Sequence, residues 1–286
     1  MTPRKQYLLK WGSRQIDFDK NTRVMGILNV TPDSFSDGGM FFQREEAIAQ
    51  GELLAAQGAD LLDIGGESAR PFSDPISPEE EIRRIVPIIK ALSRRISIPI
   101  SVDTWKAEVA QAALDAGAAM VNDISSLGLD PRLGEVAATY GVPLILMHMQ
   151  GTPRDMQAKP NYNHLLEDIH RFFEDRVRRA EAFGLPRDRI LIDPGIGFGK
   201  LMHHNLTLIK HLDFFWDLDL PIVLGTSRKS FVGKITQQGP LDRDWGTAAT
   251  LAIGAWQGAH MMRVHNVTAA KQVLAMTDAL REALQE

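Results

Sequence analysis

A repeated punctuation narrows the fold of this chain more than any other feature. Gly58-Ala59, Gly117-Ala118, Gly141-Val142, Gly184-Leu185 and Gly258-Ala259 each close a stretch of helical periodicity just before a short apolar run. A glycine just past a helix can take the positive φ that ends it, so each pair reads as the turn from a helix into a strand. The runs are apolar throughout rather than alternating, as strands buried on both faces of a parallel sheet are.

In chain order the first run opens the stretch VMGILNVTPDSFSDGG, residues 24–39, which ends its apolar half on Asn29 and passes into a polar loop. LLDIGG, PISVD, MVNDI, PLILMH, ILIDPG, PIVLG and MMRVH complete eight strands. Helices are expected over 44–57, 106–116, 132–140, 165–183, 203–215, 246–257 and 269–284. A further helix is announced by Ser77-Pro78-Glu79-Glu80, a capping-box pattern with proline at the first helical position, and Pro87 should kink it. Eight such units fit one TIM (β/α)8 barrel, for which about 250 residues is typical, better than the alternative, an open doubly wound sheet. YLLK and RQIDF around Trp11-Gly12-Ser13 form an N-terminal β-hairpin within residues 1–20 that covers one end of the barrel. No linker interrupts the chain, so residues 1–286 make one domain.

The net charge of -4 carries no long basic run, which argues against nucleic acid as a partner. The absence of cysteine excludes disulfides and thiolate metal sites. No stretch approaches the roughly 18 apolar residues of a membrane span, and the expectation is a soluble cytoplasmic protein without a membrane partner.

Barrel sites lie at the C-terminal ends of the strands, and here nearly every strand ends in a functional group. They are Asn29; Asp63 with Glu67 and Arg70; Asp103; Asn122 and Asp123; His148; Asp193; Ser227 to Lys229; and Arg263 with His265. Asp63 and Asp123 stand equally well as structural carboxylates that cap amides or pair with an arginine. His148 reads either as a buried, hydrogen-bonded histidine or as a base, Asp33 and Asp37 as turn residues, and His203-His204 as surface. GTSRKSFVG brings Arg228, Lys229 and hydroxyls to the mouth, and Arg263 and His265 share one face of the last strand, so together they describe an anion pocket. No Walker loop, GxGxxG after a strand, HExxH or nucleophile elbow is present.

MGILNVTPDSFSDGG, LLDIGGESARP, PISVDT, VNDIS, LMHMQGTP, ILIDPGIGFGK, GTSRKSFVG and RVHNV, in this order, resemble the dihydropteroate synthase family over nearly the whole chain from Val24. The resemblance implies condensation of 6-hydroxymethyl-7,8-dihydropterin pyrophosphate with p-aminobenzoate in folate biosynthesis, a transferase reaction with a dissociative course. It implies a pterin held by Asp103, Asn122, Asp193 and Lys229 with Met147 against its ring. Pyrophosphate would lie on Asn29, Arg263 and His265, Asn29 acting through Mg²⁺. The p-aminobenzoate would lie near Phe35, Arg70, Pro71, Phe198, Lys229 and Ser230. Lys229, Arg70, Arg263 and His265 then form the catalytic set. Ala69, where the family usually has threonine, and Phe72, where a small residue is common, depart from the pattern and bear on the p-aminobenzoate pocket.

Two other readings compete. A methyltetrahydrofolate:corrinoid methyltransferase shares the Asp and Asn pterin site but needs no diphosphate pocket. A folate-binding or partner-binding protein without catalysis would not need Asn29, Arg70, Asp193, Lys229, Arg263 and His265 together. The helix over 246–257 is apolar on more than one face, and with the family resemblance it points to a homodimer. Coverage of that face by the last helix is the alternative.

Overall fold

A computed structural model of the chain describes residues 4–19, 21–31, 39–68 and 73–283, with 39–43 described as backbone alone. Two short strands, β1 (Leu8–Trp11) and β2 (Arg14–Asp17), pair antiparallel through a turn in which Gly12 takes φ +53. The remaining strands are β3 (Arg23–Asn29), β4 (Leu61–Gly65), β5 (Ile100–Asp103), β6 (Met120–Asp123), β7 (Leu144–Met147), β8 (Ile190–Asp193), β9 (Val223–Leu224) and β10 (Met261–Val264). These eight lie in the order β8-β7-β6-β5-β4-β3-β10-β9, every pair parallel. A parallel bridge from Ile192 to Ile222 joins β8 to the segment entering β9 and draws the sheet into a barrel. An open doubly wound sheet, whose two outermost strands stay apart, does not make that contact.

Helices alternate with the strands: α1 (Gly39–Ala56), α2 (Pro78–Leu92), α3 (Ala107–Asp115), α4 (Arg132–Tyr140), α5 (Leu165–Ala182), α6 (Met202–Lys210), α7 (Ser230–Thr236), α8 (Asp244–Trp256) and α9 (Val267–Glu282). All five glycines of the repeated punctuation have positive φ, from +62 at Gly141 to +115 at Gly117. Every residue of β4, β7 and β8 is buried. On α5, Ile169, Phe173, Val177 and Ala180 form the stripe that packs inward, as the spacing predicts. On α2 the buried stripe is Ile85, Ile88, Ile89 and Leu92, with Ile82 and Val86 only partly covered.

Several boundaries differ from expectation. Ser77 does cap α2 through its side chain, but Glu80 turns to Arg83 and Arg84 instead of completing the box. The helix expected over 203–215 stops at Lys210 and continues as a 3-10 helix over Leu212–Leu218. The three-residue repeat of that tighter helix places Leu212, Phe215 and Leu218 on one buried side. The helix α7 is not among the expected helices, because Ser230 to Gly233 closes a polar motif that reads as loop; Phe231 and Val232 are in fact buried in its first turn. The last helix begins at Val267, before residue 269, since Asn266 caps it by accepting the Ala269 N–H at 3.0 Å. The first begins at Gly39, before residue 44, there being no proline between the two.

The hairpin does cover one end of the barrel, the end where strands begin. Arg4 donates to Thr22 Oγ1 at 2.9 Å and to the Ala259 carbonyl at 3.0 Å, beside the starts of β3 and β10. His260 accepts the Ile222 N–H on Nδ1 and so presents Nε2–H to the Lys5 carbonyl, each at 3.0 Å. The opposite mouth, where the strands end, is left for chemistry. Among the described residues no helix is long and apolar enough to cross a membrane.

Candidate active site

The strand register assembles the first part of the site. Asn29 on β3, Gly65 on β4, Asp103 on β5 and Asn122 on β6 are successive Cα partners in one row across four strands. Gly65 has a positional reason: a Cβ there would stand 3.3 Å from Asp103 Cβ, tighter than ordinary contact, and press on the stem of that side chain. Two residues earlier on β4, and so on the same face, lies Asp63, which is fully buried.

Arg263 on β10 ties this row together. Its Nε meets Asp63 Oδ2 and its Nη2 meets Asp103 Oδ2, both at 2.6 Å. Asp63 Oδ2 also accepts from Asn122 Nδ2 at 3.0 Å. An ionised carboxylate can only accept, so Asn122 turns its NH₂ to Asp63 and keeps its amide oxygen for a ligand. Burial works against the Arg263 charge, but Asp63 and Asp103 outweigh it and hold the guanidinium protonated. Burial pushes the Asp103 carboxyl up to about 7, with Arg263 opposing and Asp63 adding to the rise.

The other half of the mouth comes from β7 to β10. Asp193 accepts the Gly195 N–H at 2.7 Å, and burial lifts its carboxyl to about 6 against the pull of that hydrogen bond, Lys229 and Arg263. Lys229, at the start of α7, sets its Nζ 4.0 Å from the centre of the Phe198 ring. Burial, then Arg263, lower its amine to about 8, while Asp193 and Asp103 resist. Ser227 Oγ lies 2.9 Å from His265 Nδ1 and accepts the His265 backbone N–H at 3.2 Å. That leaves Nε2 as the ring nitrogen open to a ligand. Burial first, and then Arg263, push His265 down to about 3, so its imidazole is neutral at pH 7.

The candidates divide once placed. Asp123 is structural: it accepts the amides of Ser125 at 2.8 Å and Leu127 at 2.6 Å and faces away from its neighbour Asn122. Asp63 serves the site indirectly, through Arg263 and Asn122. His148 is buried with Nδ1 2.8 Å from Lys200 Nζ, and burial and that lysine push it well below the usual histidine range, which removes it as a free base. Arg228 does not join an anion pocket. It pairs with Asp244 at 3.2 Å, because the positive φ of +56 at Arg228 sends successive side chains apart and only Lys229 faces the mouth. His204, expected at the surface, is buried and accepts the Leu201 N–H. Met147 packs with Ile124, Met149 and Met156, next to Trp105 and Phe198, in a small apolar cluster at the mouth. Ser230 is exposed at the first turn of α7. Phe35, Ala69, Arg70, Pro71 and Phe72 lie outside the described residues. Ser227, expected at the anion pocket, meets His265 there, whereas Lys200 is absent from the candidates; the alternating glycines of GIGFGK are its available sign.

The mouth thus combines acceptors, Asp103, Asn122 and Asp193, with cationic or N–H groups, Lys229, Arg263 and His265. This is a barrel enzyme site for a heterocycle rich in N–H donors that carries an anionic group. The family profile described as "Pterin binding enzyme" matches residues 25–265. A dihydropteroate synthase of Synechocystis sp. is 46% identical over 270 residues, covering 94% of this chain and 93% of the relative. A solved dihydropteroate synthase of Xanthomonas albilineans with 4-aminobenzoic acid superposes with TM-score 0.91 at 42% identity, covering 98% of this chain and 100% of that one. The same organism's enzyme in complex with 7,8-dihydropteroate gives TM-score 0.88 at 41% identity, covering 97% and 100%. The chain belongs to the dihydropteroate synthase family of pterin-binding enzymes.

Proposed function

We infer that this chain is a dihydropteroate synthase, joining 6-hydroxymethyl-7,8-dihydropterin pyrophosphate to p-aminobenzoate to give 7,8-dihydropteroate and pyrophosphate. The observation that carries the reading is the pairing, at one barrel mouth, of the acceptor row with Lys229, Arg263 and His265. Asp193 and Asp103 accept from the pterin N–H groups, the Asn122 oxygen adds a third acceptor, and Met147 lies against the ring. Arg263 commits Nε and Nη2 to carboxylates and keeps Nη1 for the leaving diphosphate, with His265 Nε2 beside it. The bond from the exocyclic carbon to the diphosphate oxygen breaks, the arylamine nitrogen forms the new bond, and its proton leaves to solvent. No strong base is needed, and His148 is not available as one. Charge stabilisation of the departing oxygens supplies the rate, as preorganised donors at a developing anion do. The p-aminobenzoate lies along Phe198, Lys229 and Ser230, with Phe35, Arg70 and Pro71 completing its pocket.

Mg²⁺ fits this donor set through Asn29, whose neutral amide oxygen stands at the end of β3 with no side-chain hydrogen bond to the described residues. Among those residues no group of three or more His, Asp or Glu could hold a metal by itself, so the ion would be held largely by the diphosphate and water, as Mg²⁺ commonly is. When bound, it neutralises charge on the leaving group. We also propose a homodimer, supported by the apolar outer stripe of α8, where Trp245, Ile253 and Trp256 are exposed, and a cytoplasmic location, with which the absence of cysteine is compatible. Pyrophosphate release on mixing with both substrates tests the reaction, and its absence would overturn the reading. For the metal, Asn29→Ala should weaken Mg²⁺-dependent binding of the pterin pyrophosphate and leave free hydroxymethylpterin binding unchanged. Equal loss for both ligands would move Asn29 to the pterin pocket.

A further inference from the structure

The segment after β8 reads Gly195-Ile196-Gly197-Phe198-Gly199-Lys200, with glycine at alternate positions and φ of +68, +83 and +61. A Cβ on Gly195 would overlap the His148 carbonyl oxygen, and one on Gly199 would overlap that of Gln150. This loop therefore lies directly on the backbone that follows β7. Gly197 faces the other way, and a Cβ there would stand 3.3 Å from Lys229 Cδ. From the β7 side, Gln157 Nε2 donates to the Gly197 carbonyl at 2.6 Å and the Tyr162 hydroxyl donates to the Gly199 carbonyl at 2.7 Å.

Lys200 supplies the innermost tie. Only 3% exposed, it brings Nζ to the Phe198 carbonyl at 3.0 Å, the His148 carbonyl at 3.2 Å and His148 Nδ1 at 2.8 Å, and no carboxylate forms an ion pair with it among the described residues. A buried lysine without a counter-ion is costly, and three matched hydrogen bonds are what offset that cost here. As an ammonium it donates to all three acceptors; as a neutral amine it donates to the two carbonyls and accepts from Nδ1–H. Either state satisfies every group, so the tie holds across the working pH range. Its consequence is that the residue between Gly197 and Gly199 cannot shift, and that residue is Phe198, whose ring meets Lys229.

We propose that Lys200 is a positioning residue for p-aminobenzoate: by clasping the carbonyls of His148 and Phe198 it holds the Phe198 ring against Lys229 and sets the surface on which the arylamine lies. This rests on the assignment of Phe198 and Lys229 to the p-aminobenzoate pocket. A double-mutant cycle on the full chain tests both, reading KM for each substrate, kcat and thermal midpoint. Lys200→Met should raise KM for p-aminobenzoate about tenfold, roughly the loss of 1.4 kcal/mol, with KM for the pterin pyrophosphate held within about twofold. Phe198→Ala should raise the same KM, and adding Lys200→Met to it should change that KM by less than about twofold, since residues acting through one another are not additive. A lysine that only stabilised the fold would lower kcat and the thermal midpoint without separating the two KM values. Full additivity, or equal shifts in both KM values, overturns the positioning role. A silent Phe198→Ala instead overturns the pocket assignment on which it rests. Should Lys200→Met fail to fold, Lys200→Gln, whose shorter neutral side chain cannot clasp both carbonyls, takes its place in the cycle. It should raise KM for p-aminobenzoate at least about threefold, again without additivity; an unchanged value overturns the proposal.

Discussion

A carboxylate buried to meet a ligand is held at a cost before the ligand arrives. The carboxyl of Asp193 lies at about 6 in the folded chain, against an ordinary value of 3.8. Between those two values the folded state binds more protons than the unfolded one, so this group lets stability fall as pH rises from about 4 to about 6, and the deficit is complete above that. Asp193→Asn keeps the acceptor for Gly195 N–H and removes the buried charge. Chemical denaturation at pH 8 should therefore find the variant on the order of 1–3 kcal/mol more stable, with the gain gone by about pH 4, while pterin affinity falls more than about tenfold. The same groups set the pH profile of association. Asp193 and Asp103 must be ionised, so binding of the pterin pyrophosphate should rise through about 6 to about 7. Lys229 must stay protonated, so binding should fall as pH passes about 8. Titrating affinity against pH for the wild type and for Lys229→Met tests this, and the alkaline limb should vanish in the variant.

At the scale of elements, the loop after β8 depends on its backbone more than on its side chains. Gly195→Ala would combine a left-handed φ with overlap of the rigid His148 carbonyl, neither of which a rotamer change can relieve. Urea denaturation should show a loss of roughly 2–4 kcal/mol or failure to fold, whereas a silent substitution would mean that the loop does not rest on the β7 backbone. Helix and strand identity was legible wherever periodicity ran long, as in α5, and wherever a turn glycine closed a helix. It was not legible at α7, because Ser230 to Thr236 carries too few residues to display a helical period and opens in a polar motif. The 3-10 continuation after α6 escaped for a related reason: residues three apart satisfy both a helical stripe and a 3-10 stripe.

At the scale of the molecule, α8 has more apolar surface than the barrel and α9 bury. Thr247, Leu251, Gly254 and Ala255 face inward, while Trp245 is 90% exposed and Ile253 is 50% exposed, and Met276 and Leu280 on α9 are exposed as well. The last helix packs against α8 and covers part of it, and the proposed partner copy would cover the apolar side chains that stay exposed. Ile253→Glu should turn a dimer into a monomer in sedimentation at micromolar concentration, burial of a single large apolar side chain being worth about 1.5–3 kcal/mol; a wild-type monomer would end the dimer proposal. What the sequence determined by itself was the eightfold β/α repeat, the mouth at which the site lies and most of the residues that line it. These are properties of local pattern: apolar runs, turn glycines and the polar residue that ends each strand. Only the tertiary structure decided how those residues combine. It turned Arg228 to Asp244, drew Arg263 between Asp63 and Asp103, gave the Asn122 NH₂ to Asp63, and buried Lys200 against His148. Each of these pairs is far apart in the chain or set by one backbone angle, and register across the closed barrel is what brings the partners within hydrogen-bond reach.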